Sequence, residues 1–331
     1  MNYVRQDTRG EARMSTVRDA LWSGVDQTRE RSESVLSRLF EGDRMLVVLT
    51  VGPAVALMTI SAAIPVVWAL YLSMHEAGAL DPNWTWIGFG NYLSLFGSSM
   101  YWEAFRASFV FGFGSVGLQL VVGLVTALLL TRKFRGVILT RALVFLPYLI
   151  PTVVVGMIFR LMMNEQFGII NIVATDVGII DEGIAFLGEP SLAMPSLIVL
   201  NSWKFSIFIT MMVLARLQSI PDSFYEAATM NGAGPLRKFR DITYPQIRGV
   251  LLLVVLLRGV WMFNKFDIIW IVTGGGPGRT TETLPVRIYR VAFINFDLGM
   301  AGAISGTLFA FLGLAAIVYF AGFKPAEEVQ R

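Results

Sequence analysis

Glu226-Ala227-Ala228-Thr229-Met230-Asn231-Gly232, with nine residues between it and Ile242-Thr243-Tyr244-Pro245, is the stretch that decides how this chain is read. It follows Pro221-Asp222-Ser223, a plausible helix start. Asp222 or Ser223 is placed to cap free backbone N–H groups, and Glu226 falls near the positive end of the helix. Ala227 and Ala228 are small, so such a helix lies close against another surface. Gly232 permits the left-handed conformation that ends a helix, and Gly234-Pro235 turns the chain. The expectation is a helix over 225–230, a turn, and a second short helix over 236–244 that leads to Pro245.

Long apolar stretches flank this segment, at 194–214 and 250–272. Four more run over 45–73, 107–130, 137–163 and 300–322. Each exceeds the roughly 20 residues that cross a bilayer. The 331-residue chain is 55% hydrophobic and only 15% charged, against about 25% charged in soluble domains. The fold class is therefore all-α: a polytopic membrane protein with six transmembrane helices spanning 45–323. Residues 1–44 carry eight arginines and eight acidic residues and read as a polar arm with an interfacial helix; residues 324–331 form a short tail. Cysteine is absent, and His75 is the single histidine. Disulfides, thiolate metal sites and a histidine-based metal centre are thus excluded, and no metal site is expected.

The basic residues set the orientation. No Lys or Arg occurs in 75–103 or 164–193, whereas Arg132, Lys133, Arg135 and Arg141 follow the second stretch, and Arg216, Arg237, Lys238, Arg240 and Arg248 follow the fourth. By the positive-inside rule these two loops are cytoplasmic, and with six spans so are both termini. The fifth connection, with Arg279, Arg287 and Arg290, runs against the trend. A net charge of +3, distributed in this way, reads as topology rather than as a nucleic-acid-binding surface.

Glu-Ala-Ala, three residues, Gly, nine residues, Ile-x-Leu-Pro is the motif of ABC importer permeases, and the match holds at full spacing with Tyr244 in place of Leu. Further stretches resemble the sugar branch: Phe145-Leu-Pro-Tyr-Leu-Ile-Pro151, Phe167-Gly-Ile-Ile-Asn171, Phe186-Leu-Gly-Glu-Pro190, Asn201-Ser-Trp-Lys204 and Leu217-Gln-Ser-Ile-Pro221. Phe266-Asp267 with Thr273-Gly-Gly-Gly-Pro277 and Thr281-Glu-Thr283 is the most discriminating. Together they resemble the first permease subunit of maltose-type (carbohydrate uptake) ABC importers, with glycerol-3-phosphate carriers in the same branch. The likeness covers about 45–323.

The resemblance implies a type I importer permease in the inner membrane, paired with a second permease subunit, an ATPase dimer that binds ATP and Mg²⁺, and an external solute-binding protein that delivers a carbohydrate. No cofactor belongs to this chain and no nucleic acid is a partner. Glu226, Ala227, Ala228, Gly232, Tyr244 and Pro245 would then form the cytoplasmic coupling segment that meets the ATPase. Thr273-Gly-Gly-Gly-Pro-Gly-Arg279 is not a phosphate loop, because no Gly-Lys-Ser/Thr follows and topology places it outside. The chain has no Walker motif and no catalytic constellation, so it is not expected to be an enzyme.

Ionisable residues inside spans are costly and mark solute paths. On a continuous helix at 100° per residue, Arg258, Trp261, Asn264 and Lys265 fall within an arc of about 120°, with Asp267 further round. Asn201, Lys204 and Phe208 share a stripe of the fourth span. Amides, charges and aromatics suit a sugar, whose hydroxyls take hydrogen bonds while its C–H face stacks on rings. Each residue has a plainer reading: Arg258 as an ion-pair partner, Lys204 and Lys265 snorkelling to an interface, and Asp267 bracing the glycine-rich loop. An anionic solute such as glycerol-3-phosphate and, in a different class, a stand-alone ion-coupled transporter remain alternatives. Gly112, Gly114, Gly117, Gly123, Gly302 and Gly306 are expected at close helix approaches, and Ser202, Ser206 and Thr210 at a helix–helix seam. Pro147 and Pro151 are expected to kink the third span.

Overall fold

The computed structural model describes residues 50–323 apart from Pro82 and Lys133. The expected polar arm at 1–44 and tail at 324–331 lie outside the described residues. The chain divides into two units, Met1–Val67 and Trp68–Arg331. Residues 50–67 of the first are the opening of helix α1, Gly52–Ser73, an unbroken apolar helix with Pro65 inside it. Everything below concerns the second unit.

After α1 a two-residue hairpin, β1 His75–Glu76 with β2 Thr85–Trp86, pairs antiparallel in the register His75 with Trp86. Then follow α2 Gly90–Phe96, α3 Ser99–Thr131, α4 Val137–Leu149, α5 Thr152–Met162, α6 Ile169–Asp176 and α7 Pro190–Gln218. The remaining elements are α8 Asp222–Met230, α9 Pro235–Lys238, a π-helical turn Phe239–Thr243, α10 Tyr244–Phe263, α11 Asp267–Val272, α12 Leu284–Tyr289, a second π-helical turn Arg290–Ile294, and α13 Leu298–Gly322. Among the described residues five helices are long and apolar enough to cross a membrane, and the count is six if α4 and α5, bent by 94° at the break between them, are taken as one span.

Three expectations are corrected. The third span is not a kinked rod but two helices joined at a right angle, because Pro151 has neither an N–H for the ladder nor room for the preceding turn. The fifth span, expected over 250–272, breaks after Phe263, and α11 resumes at Asp267. The helix expected over 236–244 is not separate: residues Pro235–Phe263 form one helix of 29 residues.

The helices α3 and α7 make the central pair. Ser202 Oγ donates to the Ser115 carbonyl at 3.3 Å and Thr210 Oγ1 to the Gly123 carbonyl at 3.3 Å, so the small polar stripe ties the two helices as expected. Ser206 instead bonds within its own helix, to Trp203. Around this pair lie clusters built on Phe111, Leu197, Met262 and Ile269, and on Ala127, Ile209, Val213 and Val254. A third cluster, Leu95, Tyr101, Leu284 and Ile304, joins α2, α3, α12 and α13.

Glycine allows the close approach at Gly123, where a Cβ would meet Ile209 Cβ at 2.7 Å and the Ser206 carbonyl at 2.9 Å. Gly302 likewise faces the Ala69 carbonyl at 2.6 Å. Gly117, expected at such a contact, faces open space. Gly123→Ala is therefore expected to destabilise the protein by about 1–3 kcal/mol through overpacking. The matched Gly117→Ala, which meets nothing and gains up to about 1 kcal/mol of helix propensity, should leave the thermal unfolding midpoint of the purified protein unchanged or raised; equal midpoints for the two variants would refute the close approach.

Candidate functional site

The Glu-Ala-Ala segment forms α8, with no buried residue. Its N-cap is Pro221, which has no acceptor side chain, so the expected side-chain cap is corrected: Asp222 is the first helical residue and acts on the positive helix end. The C-terminus closes as foreseen. Gly232 has φ 70°; its N–H reaches the Thr229 carbonyl at 2.9 Å, and Ala233 N–H the Ala228 carbonyl at 2.9 Å. This pair of bonds is a Schellman closure. Glu226 and Ala227 are exposed, Ala228 half-buried, and Gly232, Tyr244 and Pro245 exposed.

Contacts between α8 and the long helix leave that surface free. Tyr225 Oη lies 3.1 Å from Thr243 Oγ1, and Lys238 Nζ donates to Thr229 Oγ1 at 2.8 Å. Arg216, at the end of α7, donates to the Gln246 carbonyl at 2.9 Å and to its side-chain oxygen at 3.0 Å. Arg240 bonds Asp241 at 2.9 Å, and Arg237 lies 3.5 Å from the same carboxylate. Pro245 explains the π-helical turn. It has no N–H for the Asp241 carbonyl and its ring would clash there. The turn widens instead, with Tyr244 N–H bonding Phe239 O.

Inside the bundle the polar residues form a network. Arg258 is 2% exposed. Its Nε donates to Gln119 Oε1 at 2.8 Å, and Gln119 and Asn201 donate to Met262 Sδ at 3.4 and 3.0 Å. Lys204, a residue 2% exposed, donates through its ammonium to the Pro147 carbonyl at 3.1 Å and to that of Ile150. Pro147 precedes Pro151 by one helical turn, so Lys204 supplies the donor that Pro151 lacks. Lys204, Arg258 and Lys265 surround the Phe205 ring at 5.3, 5.1 and 4.2 Å from its centroid. Lys265 Nζ donates to Asp267 Oδ2 at 3.1 Å.

The expected arc on α10 thus divides. Arg258 points into the bundle beside Gln119, while Trp261, 43% exposed, and Asn264 face outward. Phe208 packs edge-on to Trp261 at 5.0 Å. Asn264 ends the helix, so Lys265 and Asp267 leave the 100° progression and pair with each other. Asp267 does not brace the glycine-rich loop. Glu282 does: 2% exposed, it takes a 3.1 Å bond from Arg287, with Arg279 and Arg290 at 3.9 and 3.7 Å. Arg290 also donates to the Gly274 carbonyl at 2.8 Å, and Thr281 to that of Gly276 at 2.7 Å. Gly274, Gly275 and Gly278 have φ of 60°, 91° and 54°, the sharp turns for which glycine is suited.

Gln119, Phe205 and Glu282 received no role from the sequence. A signal existed for two of them. Gln119 is a lone carboxamide amid apolar residues, and Glu282 the single acid among three arginines. Arg258→Met alone strands the Gln119 carboxamide oxygen, at a cost of about 1–3 kcal/mol. Adding Gln119→Leu is expected to recover most of that loss in the unfolding midpoint, because no half-satisfied group then remains. Strictly additive losses would disprove the pairing.

Comparison with known proteins matches this architecture to a family. The model of the binding-protein-dependent transport system inner membrane component matches residues 119–323. The sulfoquinovosyl glycerol transport system permease protein SmoG of Agrobacterium fabrum is 32% identical over 84% of this chain and 90% of its own length. The trehalose/maltose transport system permease protein MalF of Thermococcus litoralis is 30% identical over 86% of this chain and 96% of its own. In fold, the chain superposes on one from the crystal structure of a bacterial alginate ABC transporter in complex with alginate pentasaccharide-bound periplasmic protein. The TM-score is 0.72, with 21% identity over 85% of this chain and 94% of that one. This chain belongs to the family of inner membrane components of binding-protein-dependent transport systems, as a multi-pass ABC transporter permease subunit.

Proposed function

We propose that this permease serves an ATP-driven importer of a carbohydrate, and that α8 with the adjoining end of the long helix is where a partner ATPase drives it. The observation that carries the coupling is mechanical. An exposed helix with an uncommitted surface is pinned through Tyr225 and Thr243 to a helix that runs unbroken from Pro235 to Phe263. Displacement of α8 therefore passes to α10 by rigid-body motion, and through Arg216 and Gln246 to α7. The Arg258–Gln119 bond links α10 to α3 in the same way.

In this reading Glu226 makes the polar contact with the ATPase, and Ala227, Ala228 and Gly232 give the close fit. Tyr244 and Pro245 shape the wide turn. ATP and Mg²⁺ sit in the ATPase dimer, a second permease completes the path, and an external solute-binding protein delivers the solute. The loops carrying Arg132 and Arg237 face the cytoplasm, as do both termini. Closure of the ATPases opens the path outward and hydrolysis resets it inward. Trp261 and Asn264 line the path, with Lys265 and Asp267 at its outer end; Asn201, Lys204 and Arg258 hold that wall from behind. The carbohydrate class rests on relatives named for trehalose/maltose, sulfoquinovosyl glycerol and diacetylchitobiose, and on the ring-and-amide wall.

Purification from freshly solubilised native membranes is expected to bring down a second permease and an ATPase. Hydrolysis by that complex should rise when a sugar-loaded binding protein is added. A chain that purifies alone and still transports after reconstitution would overturn the reading in favour of a secondary transporter.

A further inference from the structure

Three arginines converge on a cavity of about 630 Å³ where the second, third and fourth spans end, beside the root of α8. Arg132 and Arg135 come from the connection between α3 and α4, and Arg141 from the first turns of α4. Gln218 and Asp222 close the far side. Arg141 is fixed in place. Its Nη2 donates to the Leu130 carbonyl at 2.7 Å, and both terminal nitrogens lie 3.1 and 3.3 Å from the Gln218 carboxamide oxygen in its favourable orientation. Its Nε is buried without a partner. Arg132 and Arg135 are exposed. Asp222 is the one acidic residue among the described lining, so the cavity is positive.

The rim is apolar. Phe134 lines the cavity and is half exposed, and Ile138 and Leu139 on the adjoining turn of α4 project outward. A cavity with one anchored and two exposed guanidinium groups, next to the exposed side chains of Phe134, Ile138 and Leu139, fits a phosphate attached to acyl chains. We infer that it binds the headgroup phosphate of an anionic phospholipid from the inner leaflet. Bound there, the lipid anchors the loop leading into α8, since Ile220 and Asp222 share the cavity wall. The inference uses the orientation proposed above but not the identity of the solute.

The test is native mass spectrometry of the intact importer complex, titrated with phosphatidylglycerol or phosphatidylcholine of matched chains. Phosphatidylglycerol is expected to be retained preferentially. Arg132→Gln with Arg135→Gln, both at exposed positions, should weaken its retention about 30-fold and leave phosphatidylcholine unaffected. Equal retention of the two lipids, or a variant indistinguishable from the unmodified complex, would overturn the site. Displacement of phosphatidylglycerol by millimolar inorganic phosphate would overturn the lipid and assign the cavity to a free anion. Orientation is read separately. The chain has no cysteine, so Met230→Cys should resist an impermeant thiol reagent on intact cells; labelling there would move the cavity to the outer leaflet and end the inner-leaflet assignment, whatever the lipid data.

Discussion

Replacing Glu226 by lysine is expected to cut solute uptake by about 100-fold or more while the permease accumulates in the membrane at its normal level. The two halves of that expectation have different grounds. Folding of α8 does not use the carboxylate: the helix is held by the Tyr225–Thr243 and Lys238–Thr229 contacts and by its Schellman closure. Glu226 is exposed, so a lysine there is solvated at no cost to the permease alone. At an interface the change removes an attraction and adds a repulsion, and loss of a close charge pair typically costs 2–5 kcal/mol, with about 1.4 kcal/mol per factor of ten. Labelled-solute uptake and ATPase co-purification measure it together. Normal uptake by the lysine variant would remove Glu226 from the contact.

Glu282→Ala is expected to have the largest effect on stability, about 3–5 kcal/mol, the usual cost of removing one partner of a buried ion pair. Three guanidinium groups converge on this carboxylate in the loop between α11 and α12. Without it Arg287, 13% exposed, keeps its charge and loses its acceptor. Arg290 would remain tied to the Gly274 carbonyl and Thr281 to Gly276, so the loop should loosen rather than vanish. The expected signature is a lower unfolding midpoint with faster proteolysis near Arg279, whose exposed side chain offers a cleavage site. An unchanged midpoint would show that the glycine turns alone hold the loop.

Much of this was legible beforehand. Span number follows from apolar run length, a property of each segment alone, and the cap at Gly232 follows from the one residue type that suits the left-handed region. A helix–helix seam on α7 was visible in the spacing of Ser202, Ser206 and Thr210, but not that α3 fills it or that Ser206 stays within its own helix. What the sequence did not disclose depends on pairs far apart in it. Arg258 meets Gln119, and Lys204 meets the Pro147 carbonyl that Pro151 leaves open. The arc drawn through Asn264, Lys265 and Asp267 assumed an unbroken helix. The break after Phe263 lies amid Trp261, Phe263 and Phe266, with no Gly or Pro to mark it. In the same way Pro245 marked a disturbance without saying whether it would stop the helix or widen it.

That the helix widened has a geometric consequence. An α-helix turns 100° and rises 1.5 Å with every residue, so a turn that absorbs one surplus residue resets the phase between what lies on either side. The end at Arg237 and Lys238 and the face at Trp261 belong to one rod, and the π-helical turn between them fixes the angle at which each is set to the other. Phe239–Thr243 works as the offset between a cam and its shaft. Taking one residue out of it would leave both halves helical and turn one relative to the other by about 100°: two sound parts, each aimed for a stroke that the other delivers in a different direction.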